Sequence, residues 1–111
     1  MVAILRSQVY WADLRPVRGH EQDGTRPVLI ISHDMFNERS GTVIALAITS
    51  QQPRAGYPLT WRVPDGILPR SSWVKVSQVR TLSTERLGRY LGEVSPADLD
   101  ELVDALNQLV G

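Results

Sequence analysis

The side chains best equipped for chemistry lie in residues 19 to 32, GHEQDGTRPVLIIS, and in AITS at residues 47 to 50. His20 supplies an imidazole, whose unperturbed pKa is close to physiological pH, and Glu21 a carboxylate, so this polar loop holds two of the side-chain types that move protons in enzymes. Arg26 follows, and Pro27 restricts the backbone just before an apolar run, which can aim a permanently charged fork at a phosphate. The structural alternative for Arg26 is an ion pair with Glu21 or Asp23 that closes a sheet edge. Thr49 ends a second apolar run, where a hydroxyl can emerge from a packed scaffold, although β-propensity alone also favours threonine there. No metal centre is expected: the two histidines, His20 and His33, form no H-E-x-x-H pattern, and no close carboxylate set accompanies them. A phosphate loop and a dinucleotide fingerprint are also missing from the sequence.

Short strands must position these groups. Val9 to Leu14, Val28 to Ile31 and Thr42 to Ile48 read as strands rich in branched residues, and Leu59 to Val63 and Trp73 to Val79 alternate as half-exposed strands do. Between them stand RPVRGHEQDG, NERSG, QQPRAGYP and PDGILP, rich in turn formers. That pattern predicts a small, strongly bent antiparallel sheet or barrel. The C-terminus changes period. Leu99, Leu102, Val103, Leu106, Leu109 and Val110 recur at helical spacing, with Ser95 as cap and Pro96 in the first turn. The acidic first turn complements the helix dipole and needs no catalytic explanation.

At 111 residues the chain suffices for one compact core, so a single domain over residues 1–111 is expected. No apolar run approaches bilayer-spanning length and the N-terminus lacks a secretory pattern, which predicts a soluble, cytoplasmic protein without a membrane partner. The absence of cysteine agrees with a reducing compartment. The net charge of zero conceals an asymmetry. Asp98, Asp100, Glu101 and Asp104 fall within residues 96–111, which hold no basic residue; residues 1–95 carry twelve basic and eight acidic side chains, a net of +4. Eleven of the twelve basic residues are arginine, which suits an anionic partner; scattered, solvated arginines are the alternative.

From VYWADLRP through GHEQDGTRPVLIIS, AITS, GYPL and VKVSQVRTL to the closing helix, the sequence resembles the MazF/PemK toxin family. GHEQ and GTRPVLI resemble the plasmid-encoded Kid/PemK branch especially closely, and GYP resembles chromosomal MazF toxins. The resemblance implies a mainly β fold, an SH3-like, strongly curved antiparallel barrel of the PemK/MazF/CcdB type with a C-terminal amphipathic helix. It also implies a homodimer and a cofactor-free, metal-independent endoribonuclease that cuts single-stranded mRNA at a short motif. The products would be a 2′,3′-cyclic phosphate and a 5′-hydroxyl. The implied partner is a cognate antitoxin whose disordered acidic tail occupies the same basic groove.

Carried over by position, the resemblance makes Arg26 and Thr49 the catalytic pair and assigns RNA contacts to His20, Glu21, Gln22, Ser50, Gln51, Lys75, Ser77 and Gln78. Arg26 would stabilise the charged phosphorane, and Thr49, too weak an acid or base to titrate near neutrality, would hydrogen-bond the phosphate or the 2′-oxygen. The proton acceptor stays open between His20, Glu21 and water. Kid-like relatives carry an arginine at the position of Lys75 and an aspartate at that of Ser77, a pair proposed as acid and base; serine does not replace that base. Arg80 reads as structural, holding a loop or the dimer. Trp11, Trp61, Trp73 and Tyr57 can stack on bases but are assigned to core or interface. Two alternatives accompany the ribonuclease: a gyrase-binding toxin of the CcdB class, and a degenerate homologue that binds RNA or antitoxin without cutting.

Overall fold

The computed structural model describes residues 3–15 and 24–111. Among these residues six strands, β1 (Gln8–Asp13), β2 (Thr25–Ile30), β3 (Thr42–Thr49), β4 (Thr60–Arg62), β5 (Trp73–Ser83) and β6 (Leu87–Glu93), form one antiparallel sheet in the order β4-β5-β3-β2-β1-β6. Among the described residues two α-helices, α1 (Asp34–Ser40) and α2 (Pro96–Val110), and a 3-10 turn at Thr84–Arg86 complete the fold. The terminal strands β4 and β6 do not pair, so the sheet is a strongly curved, barrel-like wrap whose ladder stays open. Its curvature follows from packing: Val9 of β1 and Trp61 of β4, strands from distant parts of the sheet, are buried in one cluster with Leu102 of α2. Register shifts in the β1–β6 and β3–β5 ladders supply the bends that this wrapping requires.

Alternation along the central strands separates two cores. Val9, Leu29, Leu46 and Ile48 face α2, where Leu99, Leu102 and Ala105 cover them. Tyr10, Val28, Ile30, Ala45 and Ala47 point the other way into a second cluster with Leu14 and Leu82. Each wholly buried leucine contributes about 1.5–3 kcal/mol, so these faces fix the register of β2 and β3 firmly.

The C-terminal helix forms as its spacing predicts. Ser95 accepts from the Asp98 N–H and the Asp98 carboxylate accepts from the Ser95 N–H, a reciprocal capping box with Pro96 at the first helical position. Val103, Leu106 and Leu109 pack partly against the first cluster, whereas Val110 departs from the expected stripe at 74% exposure. Other departures are additions. NERSG, read as a turn, supplies most of α1, whose end is set by Gly41 in the left-handed region. β5 runs on to Ser83, and β6 lies outside the expected strands: it is an edge strand with an exposed face and no apolar alternation.

Candidate active site

Arg26 and Pro27 lie inside β2 rather than ahead of it, and this placement has a backbone consequence. The Ile31 N–H donates to the Ile44 carbonyl at 2.9 Å. Hydrogen-bonded pairs in an antiparallel ladder recur every second residue, so the register Leu29↔Leu46 makes Pro27 and Ile48 a later pair in that series. Proline has no N–H to donate, and the β2–β3 ladder stops at Val28↔Ala47. Beyond that point each strand keeps its outer partner, with Arg26 opposite Ala12 of β1 and Thr49 opposite Trp73 of β5. Arg26 and Thr49 each lie two residues past Val28↔Ala47, on the two sides of the mouth where the strands part.

By alternation Arg26 and Thr49 share the face of Val28 and Ala47, turned away from α2. Thr49 is 6% exposed, and its Oγ1 accepts the Gln51 N–H at 3.2 Å in the turn after β3. With a lone pair engaged there, its own proton is the part of the hydroxyl left to donate. Trp73 and Lys75 fall on this same face, Lys75 half-buried; Ser77 is exposed. The β3–β5 register jumps here, so Lys75 to Gln78 stand opposite the single residue Ala47. None of Thr49, Lys75, Ser77 and Gln78 lines the cleft described next.

A cleft of about 380 Å³ opens at the strand mouth, bordered by Arg26, Pro27 and Ile48 and reached by the exposed Ser50. Ser50 was assigned to the site from sequence and Trp11 of β1 to the core or interface, while Arg70 of the β4–β5 connection and Arg89 of β6 were not singled out; all four line this cleft from separate segments. Among its described lining residues are three arginines and no carboxylate, an electrostatic setting for an anion. No local pattern links these positions; only the curl of the sheet does. Gln51 is exposed beside Ser50, while His20, Glu21 and Gln22, as well as Asp23, lie outside the described residues.

Neighbouring groups are structural. Arg80 donates to the Leu14 carbonyl at 3.3 Å and so holds the chain where β1 ends. Arg15 hydrogen-bonds Asp13 and holds its carboxyl down at about 2. Of the aromatics assigned to core or interface, Trp61 is in the core, and Trp11 and Tyr57 are 44% and 48% exposed in the single chain. Tyr57 donates to Asp104 of α2 at 2.9 Å, and that bond, followed by desolvation, raises its phenol above the ordinary value.

Comparison with known proteins agrees with this architecture. Residues 5–110 match the family described as PemK-like, MazF-like toxin of type II toxin-antitoxin system. The chain belongs to the PemK/MazF toxin family. Within it, the chain is 38% identical over 108 residues to the Endoribonuclease MazF of Staphylococcus saprophyticus, covering 96% of this chain and 90% of that relative. A crystal structure of MazF from Deinococcus radiodurans superposes with a TM-score of 0.87 at 28% identity, covering 100% of this chain and 99% of the other. A mycobacterial endoribonuclease in complex with its cognate antitoxin gives 0.80 at 33% identity, over 98% and 96% of the two chains. These superpositions bear out the curved barrel-like architecture expected of a PemK/MazF chain. Among the described residues no helix is long and apolar enough to cross a membrane.

Proposed function

We propose that this chain is the toxin of a type II toxin-antitoxin system, a cytoplasmic, homodimeric endoribonuclease that cuts single-stranded mRNA at a short motif without a metal ion. A cognate antitoxin with a disordered acidic tail restrains it by occupying the basic groove. Support comes from family membership and from the relative named Endoribonuclease MazF. A structural neighbour bound to its cognate antitoxin supports the partner. What supports the chemistry is that Arg26 and Thr49 each lie two residues beyond Val28↔Ala47, the last pair of the β2–β3 ladder.

In the proposed reaction the ribose 2′-oxygen attacks the adjacent phosphorus and gives up its proton, a cyclic phosphate forms, and the 5′-oxygen leaves and takes a proton. Arg26 balances the negative charge of the phosphorane, and the Thr49 O–H donates to a phosphate oxygen from a fixed position. Lys75 adds positive charge on the same face, Ser50, Gln51, Ser77 and Gln78 contact the RNA, and His20, Glu21 and Gln22 contact it from the preceding loop. The proton acceptor is His20, Glu21 or water. Incubation of the purified protein with a long RNA in excess EDTA, followed by end mapping, tests the proposal. Discrete cuts ending in cyclic phosphate and 5′-hydroxyl are expected, with loss of cutting in Arg26→Ala. Undiminished cutting by that variant, or no discrete cuts across varied sequences, refutes it. Ser77 in place of a carboxylate favours one second reading, a homologue that binds RNA tightly without turnover, which the same assay exposes.

A further inference from the structure

Resting on that ribonuclease reading, we propose that the cleft beside Arg26 is a nucleotide subsite next to the scissile phosphate, in which Trp11 stacks on a base while Arg70 and Arg89 hold the flanking phosphates. The indole of Trp11 is 44% exposed at the cleft although β1 is an interior strand of the sheet with buried residues on either side, Tyr10 and Ala12. An indole left partly in water forfeits much of the burial free energy that a tryptophan can contribute, and a flat aromatic face is the surface on which an unpaired base binds. Arg70 and Arg89 reach the same cleft from the β4–β5 connection and from β6. Among the described residues neither forms an ion pair, whereas Arg15 and Arg62 are paired to Asp13 and Asp65. Ser72, itself 5% exposed, donates to the Arg70 carbonyl at 2.9 Å and holds the Arg70 backbone in place.

The cleft opens on the α2 side of the sheet, with Ile48, Leu68 and Leu91 in its wall, and Arg26 borders it whereas Thr49 does not, so an RNA whose scissile phosphate lies at Arg26 passes round that strand end into the cleft. An aromatic face flanked by guanidiniums matches the alternation of base and phosphate in single-stranded RNA. An acidic peptide shares the charge but not that alternation.

The test is binding of a fluorescein-labelled RNA carrying a 2′-deoxy residue at the scissile position, which removes the attacking hydroxyl and separates binding from turnover. If the wild-type protein cuts no RNA, a mixed-sequence single strand serves. Trp11→Ala is expected to weaken binding about tenfold, the lower part of the range for loss of base stacking, with Trp11→Phe recovering most of it. An abasic residue at one flanking position should weaken binding to the wild type but not to Trp11→Ala. For Arg70→Ala with Arg89→Ala, the dependence of log affinity on log salt should flatten by about 0.7 for each phosphate that no longer meets a guanidinium. Equal abasic penalties in wild type and Trp11→Ala at every position, or an unchanged salt slope, overturn the proposal. So does a set of variants that bind RNA normally yet lose inhibition by an acidic peptide. Failure of the ribonuclease reading looks different: the wild type then binds RNA with these dependences and leaves it intact.

Discussion

Replacement of Thr49 separates a hydroxyl that holds a turn from one that helps a reaction. Thr49→Val keeps the shape of a side chain that is 6% exposed and deletes the oxygen that accepts the Gln51 N–H at 3.2 Å. Because Gln51 is exposed, water can take over that N–H. The stability loss should therefore stay at the low end for a lost hydrogen bond, about 1 kcal/mol, or roughly 4–8 °C in the melting midpoint. A preorganised donor to the reacting phosphate is worth more, about 10²–10³ in kcat. Thr49→Ser makes the converse change, keeping the hydroxyl and losing a buried methyl at a cost of about 1 kcal/mol. The two variants should thus melt at similar temperatures and differ by two orders of magnitude or more in single-turnover cleavage, measured well below either midpoint. If Thr49→Val cuts at the wild-type rate, or the serine and valine variants lose activity together, Thr49 is a turn-holding residue and the assigned role is wrong.

Gly92 should resist substitution: its φ is +148° and a Cβ there would lie 3.1 Å from Cγ2 of Ile67, so Gly92→Ala should cost about 1–3 kcal/mol, read as a lower urea midpoint. An unchanged midpoint would show that β6 and the Ile67 loop shift freely. The raised phenol of Tyr57, caused chiefly by its hydrogen bond to Asp104, stabilises the fold while neutral. That contribution is complete below the unfolded value of about 10 and disappears as pH rises through the folded one, so urea midpoints of wild type and Tyr57→Phe should converge in alkali. A constant difference across that range would contradict the assignment.

How much of this was legible in sequence depends on the range of the interactions. Thr42 to Ile48 and the stripe from Leu99 to Leu109 carry their own periodicity, and Ser95 with Pro96 marks a helix start, because burial of one face and capping are local demands. α1 lacks such a signal, since Asn37 is its sole buried residue, although Asp34 near its start and Gly41 at its end were readable punctuation. β6 was silent because an edge strand exposed at Gly88, Arg89 and Tyr90 has no apolar period to display. Arg26 and Thr49 were singled out because family motifs surround them. Trp11, Arg70 and Arg89 were not placed in the site, because their meeting depends on the bend of a whole sheet. Trp11 was even assigned to core or interface, the ordinary fate of tryptophan in a small barrel.

Pro27 connects the backbone to the proposed chemistry. At the position where β2 would next donate to β3 it offers no N–H, and the two strands then continue with different neighbours. One forgone hydrogen bond costs about 0.5–1.5 kcal/mol, small beside a typical folding stability of about 5–15 kcal/mol, so an open mouth is compatible with a firm sheet. The residues on either side of that mouth belong to strands whose next inward pair, Val28 and Ala47, is buried. A guanidinium and a hydroxyl mounted on such elements need little reorganisation when charge develops on a phosphate, and electrostatic stabilisation acts best when its dipoles are already in place. The gap in the ladder gives the substrate access, while the buried pair beside it limits how far the flanking groups can drift.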